Sequence, residues 1–371
     1  MARGWAGSVL VGALILAGPG PADASVQGRA LLQPRPADAA PPAAFPLLGQ
    51  ETEALPPGSP APESPGPASL APAAPAPAST LALARTALLA ALAVAATAFI
   101  VRKGLYDPAP ASRPPDAPFP ATPDWPAMLL AGLTLWMAQM VGSLSAVRLL
   151  NVAPGRTLDL RDASLLSMGG YLGFLVGAAF VFGVLPGMTR LVRLAGTHVR
   201  PLRDLRLGAA ALALTLPIVL TIAWLASLLA SFIKGQPPPA IAHETLEMLA
   251  APGAATEPAS APWWWLTVAC VVIGAPVAEE CVYRGCIQGA IRRARAADPP
   301  RRAAWTAVLG TSLLFAAMHA HIAEPHALVP LLVLSVILGV VHERTGSLWV
   351  PIAMHALFNL ANITLALWTV A

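Results

Sequence analysis

Charge is scarce in this sequence of 371 residues: Asp, Glu, Lys and Arg make up 11% of it, against 56% hydrophobic residues. Soluble domains carry about 25% charged residues, so a soluble globule is excluded and a multi-span membrane protein is indicated. Cysteine is nearly absent. Cys270, Cys281 and Cys286 fall in one apolar segment with no CxxC spacing, which excludes a disulfide framework and a zinc knuckle and leaves them as small buried hydrophobes. No soluble basic face with interleaved aromatics exists, so nucleic acid is excluded as a partner, and the net charge of +4 is a matter of topology. An HExxH zinc signature is missing as well. So is any internal repeat of broken apolar segments in two halves, which a transporter would be expected to show.

What is present begins with a secretory signal peptide over residues 1–24. Arg3 lies in a short basic start, an apolar stretch follows, and Ala22-Asp23-Ala24 offers a small-x-small cleavage site. Ser25 follows the site, so a lipoprotein anchor is not indicated; an uncleaved anchor is the alternative. Residues 25–80 form a Pro/Ala-rich tail that cannot bury a core and is expected to be disordered. The expected fold is all-α, a polytopic membrane helical bundle of about eight transmembrane helices. The candidate spans are 81–101, 125–147, 163–185, 207–232, 263–290, 303–320, 327–341 and 348–369, the seventh being short for a bilayer. Residues 81–262 then hold the N-terminal helices and 263–371 the core.

Arginine placement orients the bundle. One set of loops holds Arg102, Lys103, Arg113, the basic stretch 189–206, Arg292, Arg293, Arg295, Arg301, Arg302 and Arg344, whereas the opposite set is sparsely basic. The first set is therefore expected in the cytoplasm and the tail outside, in agreement with a signal peptide. Trp263, Trp264 and Trp265 fall where an outer aromatic belt belongs.

Against this apolar background Glu279-Glu280-Cys281-Val282-Tyr283-Arg284-Gly285 stands out. A charge near a bilayer centre costs about 3 kcal/mol or more, so three together need partners or a purpose. Glu280 and Arg284 are i, i+4 with the acid first, the favourable order for an ion pair. Glu279 is turned about 100° away and lacks that partner. Pro276 removes one helical hydrogen bond just before it. At about 1.5 Å per residue, Glu279 lies roughly 20 Å from the basic end of its helix, His319 roughly 25 Å, and His355 and Asn359 roughly 16 and 22 Å. An acid, two imidazoles and an amide at similar depth could activate and hold a water.

Glu279-Glu280-x-x-x-Arg284-Gly285, Phe315-x-x-x-His319 and His355-x-x-x-Asn359, with the lead-in from Glu343 to Ile352, resemble the three motifs of the CPBP family. These are the CAAX-protease and bacteriocin-processing intramembrane glutamic endopeptidases. The resemblance spans about 263–362. It implies a helical bundle with a polar cavity and cleavage of a peptide bond in a membrane-anchored protein or peptide, at the bilayer. It further implies that Glu279 is the general base on a water held with His319. His355 and Asn359 would stabilise the oxyanion, with Glu280 and Arg284 as a supporting pair.

No cofactor is favoured. If a metal takes part, zinc on Glu279, His319 and His355 is the arrangement to expect. His321, Glu324 and His326 form a second metal-like cluster after His319, at an outer helix end where solvated polar residues are ordinary. Gly310-Thr311-Ser312 lacks the next Gly of a GxSG serine motif, and Tyr106-Asp107 falls in a loop, so a serine or aspartyl centre is not supported. The alternative to a peptidase is a non-catalytic membrane scaffold or bacteriocin-immunity protein of the same fold. The alanine-, proline- and arginine-rich composition points to a bacterial plasma membrane.

Overall fold

In a bilayer a backbone must satisfy its own hydrogen bonds, so the apolar runs can only become helices. The computed structural model describes residues 80–108, 124–153, 156, 158–184 and 201–370. The expected signal peptide and nearly all of the Pro/Ala-rich tail lie outside the described residues, as does most of the basic stretch 189–206. Residues Ala84–Ala371 form one compact unit; of the separate unit Gly20–Leu83 only residues 80–83 are described.

Nine helices are named here in chain order: α1 (Thr80–Arg102), α2 (Trp125–Leu149), α3 (Leu160–Val184), α4 (Pro201–Lys234), α5 (Glu244–Ala250), α6 (Ala261–Ala294), α7 (Pro300–His319), α8 (Leu328–Thr345) and α9 (Trp349–Val370). Their ends follow local chemistry. Asp124 caps α2, its Oδ1 accepting from Ala127 N at 3.3 Å, with Pro126 in the first turn where no N–H is needed. Gly346 ends α8 in the left-handed region at φ 62°, its N–H donating to His342 O.

Seven of these helices are long and apolar enough to cross a membrane, and the protein is an integral membrane protein. The sixth expected span, 303–320, is a helix, α7, but falls short in apolarity. It starts on Arg301 and Arg302, ends on His319, and turns Thr311 and Ser312 into the protein rather than outward. The short seventh span also differs: a 3-10 turn at Pro325–Ala327 leads into α8, which runs on through His342, Glu343 and Arg344, giving a stretch of 21 residues. Large apolar side chains such as Leu172, Leu229, Phe232, Leu313 and Trp368 point outward, as a lipid-facing surface requires.

Helix α6 is the hub. One core, with Leu135, Phe174, Val282, Ile287 and Phe315, joins it to α2, α3 and α7. A second, with Val219, Leu334, Leu338 and Met354, joins α4, α8 and α9. A third, with Leu249, Trp264 and Ile363, seals α5, α6 and α9. Arg344 Nη1 donates to the carbonyls of Gly104 and Asp107 at 3.0 and 2.8 Å, while Arg301 meets Asp107 and Arg292 meets Glu343. The basic helix ends that the sequence grouped together thus share one end of the bundle.

Helices α2 and α3 approach through glycine. A Cβ on Gly142 would run into Gly169 O, and one on Gly173 into Ala138 O. Backbone cannot yield cheaply there, and overpacking costs about 1–3 kcal/mol. Gly173→Leu is therefore expected to lower the unfolding temperature in detergent by several degrees, measured by thermal-shift fluorimetry beside Gly183→Leu, where a Cβ meets nothing.

Candidate active site

Helix α6 is not a uniform α-helix. π-helical turns at Cys270–Gly274 and Cys281–Gln288 bracket the short α segment Ala275–Glu280 that carries both acids. In a π turn each N–H reaches back five residues, and such turns cluster at functional sites. Ala275 N donates to Cys270 O in this register. Pro276 has no N–H with which to repeat the bond to Val271 O; Asn359 Nδ2 supplies the donor from α9, at 2.9 Å.

Glu280 and Arg284 are fully buried and joined, Arg284 Nη1 donating to Glu280 Oε1 at 3.0 Å. Two buried charges need more than each other. Arg284 Nη2 also donates to Ser335 Oγ at 2.8 Å and to Ser335 O at 3.1 Å on α8, and its guanidinium lies 5.1 Å from the Phe315 ring centre. His355 Nδ1 stands 2.9 Å from the same Glu280 Oε1, and its Nε2 is 4.0 Å from Glu279 Oε2. His355 therefore bridges the buried acid to the neighbouring one. A step further along, Gln288 Nε2 ties α6 to Gly339 O and Glu343 Oε1 of α8.

Glu279 projects differently. Its side chain is 25% exposed, and Oε2 takes no hydrogen bond. It lines a cavity of about 680 Å³ together with His319, His355 and Asn359. Apolar residues such as Val219, Trp224, Leu334 and Phe358 share the rest of the wall with polar ones that include His243, His326 and Asn362. His319 Nδ1 lies 2.8 Å from Phe315 O, which can only accept, so Nδ1 carries the proton and a neutral ring keeps a lone pair on Nε2. Its ring rests on Phe315 at 4.3 Å between centres. The four residues singled out for chemistry are thus brought to one cavity, and the supporting pair lies beneath it.

Three partners were not read from the sequence. Ser335 and the contact of His355 with Glu280 join segments 51 and 75 residues apart. Tyr171, on α3, lines the same cavity, and nothing in its apolar helix marks it out.

A strap over residues 235–243, with Pro237, Pro238 and Pro239, crosses the cavity. A single antiparallel bridge, His243 with Ala323, and the bond from Glu324 N to Ala242 O at 3.1 Å pin it to the turn after α7. Lys234 meets Glu324 at 3.9 Å. Among the described residues no group of three His, Cys, Asp or Glu is arranged to hold a metal ion. Neither Glu279, His319 and His355 nor the His321–His326 cluster fits one.

His243 Nδ1 accepts from Thr245 N at 3.2 Å and caps α5. Burial, and then the charges of His319 and His321, hold its imidazole down to about 4 from an ordinary 6.5. The unfolded chain then binds the proton more readily, so this group's contribution is whole above about pH 6.5 and is lost as pH falls towards 4. His243→Asn keeps a capping oxygen and removes the titration. Between pH 7 and 4 the wild type is expected to lose more unfolding temperature than this variant.

Residues 261–361, the stretch that carries every one of these motif residues, match the model of a protein family described as Type II CAAX prenyl endopeptidase Rce1-like. No curated protein and no solved structure matches the chain.

Proposed function

From the match of residues 261–361 to the CAAX endopeptidase family, and from one free acid beside a buried acid–imidazole network, we propose an intramembrane endopeptidase. It hydrolyses a peptide bond in a membrane-anchored protein or peptide. The observation that carries this reading is the division of labour between adjacent acids. Glu280 is sealed under Arg284 and His355, while Glu279 keeps an unpartnered oxygen at the cavity wall.

In the proposed reaction Glu279 takes a proton from water as the oxygen attacks the scissile carbonyl carbon. The lone pair on His319 Nε2 accepts the water's other hydrogen and fixes its approach. His355 Nδ1 donates to Glu280, so when the ring is protonated its Nε2–H faces the developing oxyanion, and the Glu280 carboxylate stays ionised beneath the ring while Glu279 holds the water's proton. Asn359 spends one Nδ2–H on Val271 O and keeps the other for the same oxygen. One such donor is typically worth about 3 kcal/mol in the transition state. The tetrahedral intermediate collapses by breaking the C–N bond, and Glu279 returns its proton to the leaving amine. These steps draw on the side chains alone, and the chelator test below is what separates them from a metal mechanism.

We place the protein in a bacterial plasma membrane, with the arginine-rich end of the bundle in the cytoplasm and the tail outside. The shared end formed by Arg292, Arg301 and Arg344 supports that orientation. The test is hydrolysis of a peptide library by the full chain in liposomes, with and without a chelator. Cleavage that survives chelation is expected. Loss to chelator with recovery on added zinc would turn the mechanism to a metal, and a folded protein that cleaves nothing would favour a scaffold or immunity role.

A further inference from the structure

The two carbonyls at the start of the first π turn each receive a side-chain donor from another helix. Tyr171 Oη, on α3, donates to Cys270 O at 3.2 Å, and Asn359 Nδ2, on α9, donates to Val271 O at 2.9 Å. Cys270 O already accepts from Ala275 N, so Tyr171 adds a second bond to a carbonyl held in the π register. Gly274 lets the ring in: a Cβ there would stand 2.6 Å from Tyr171 Cε2. Tyr171, Val271, Ala275 and Asn359 line the cavity that Glu279 faces, and Gly274 is five residues before Glu279.

A π turn accommodates one residue more than an α turn, and one residue corresponds to about 100° of helix rotation. If this turn relaxed to α geometry, the segment Ala275–Glu280 would rotate by that amount relative to the start of α6, and Glu279 would leave the cavity wall. Something must hold the wide turn open. The donors that catch its loosened carbonyls come from either side of α6, so they fix its rotation as a clasp would.

We infer that Tyr171, with Asn359 opposite, is a positioning residue that aims Glu279 by holding the π turn at Cys270–Gly274. This rests on the proposed role of Glu279. Tyr171 lies outside the segment that matches the family, and its hydrogen bond is to the backbone of α6. Displacing a reacting group by about 1 Å can cost roughly 100-fold in rate, so loss of the clasp is read in turnover rather than in substrate binding.

The test uses the full chain in liposomes, wild type beside Tyr171→Phe, which keeps the ring and removes the hydroxyl. Turnover is expected to fall roughly 10- to 100-fold with KM nearly unchanged. The infrared carboxyl band of Glu279, identified as the band missing from Glu279→Gln, is expected to shift in Tyr171→Phe. Should Tyr171→Phe fail to fold, Gly274→Ala displaces the ring from the other side and is expected to give the same two changes. A folded variant with unchanged turnover and an unmoved band overturns the inference. A wild type that cleaves no peptide while the band still moves upholds the clasp and removes the peptidase reading instead.

Discussion

Glu279→Gln is expected to reduce peptide hydrolysis by about 100- to 10,000-fold while the folded protein remains as stable as the wild type or becomes more so. General-base catalysis supplies roughly 100- to 10,000-fold, and the amide has the shape of the acid without its basicity. The stability half of the expectation comes from burial. Glu279 is partly exposed to the cavity and its Oε2 takes no hydrogen bond, with His355 Nε2 no closer than 4.0 Å, so the fold gains little from the charge there. Residues kept for activity commonly cost stability, and removing them returns it. Steady-state cleavage and thermal unfolding measured on one preparation check both halves. Glu280→Gln separates the two acids: it weakens a buried network of Arg284 and His355, so it is expected to lower both activity and unfolding temperature. A Glu279→Gln protein that cleaves at the wild-type rate would end the assignment of Glu279 as base.

How far the sequence discloses this arrangement depends on the range of each interaction. The helices are legible because apolar runs in a bilayer have one backbone solution, and the ion pair Glu280–Arg284 is legible because i, i+4 is a local relation. The exception among the helices is instructive. Helix α7 looks like a span by position, yet its polar groups serve the interior: Thr311 and Ser312 are buried and His319 reaches the cavity. Spacing along the chain also suggests that His319, His355 and Asn359 lie at one depth, but depth does not say what each touches. That Asn359 caps Val271 O follows from Pro276 only once the π turn is known, since in an α-helix the orphaned carbonyl would be that of Val272. Tyr171 was invisible because its value depends on Gly274, a residue on another helix whose missing side chain makes the space.

Arg284→Leu is expected to leave little folded protein, and Arg284→Leu paired with Glu280→Leu is expected to recover folding without recovering catalysis. Removing one partner of a buried ion pair strands the other; the cost is about 3–5 kcal/mol, a large part of a typical fold's margin of about 5–15 kcal/mol. Glu280 is fully buried, so no water replaces the guanidinium, and among the described residues only His355 Nδ1 also hydrogen-bonds its Oε1. Arg284→Lys tests geometry against charge. A single ammonium cannot reproduce contacts made by two separate guanidinium nitrogens, one to Glu280 and one to Ser335, so Lys is expected to fall between wild type and Leu in stability. The double leucine variant has no buried charge to strand, and replacing such pairs with apolar residues is often neutral or stabilising. It also deprives His355 of the carboxylate that orients its ring, and orientation by a carboxylate is what lets the far nitrogen serve chemistry. The yield of monodisperse protein on size-exclusion chromatography and the turnover of what is recovered check these outcomes separately. A double variant that folds and retains wild-type turnover would show that the buried network contributes nothing to the reaction at Glu279.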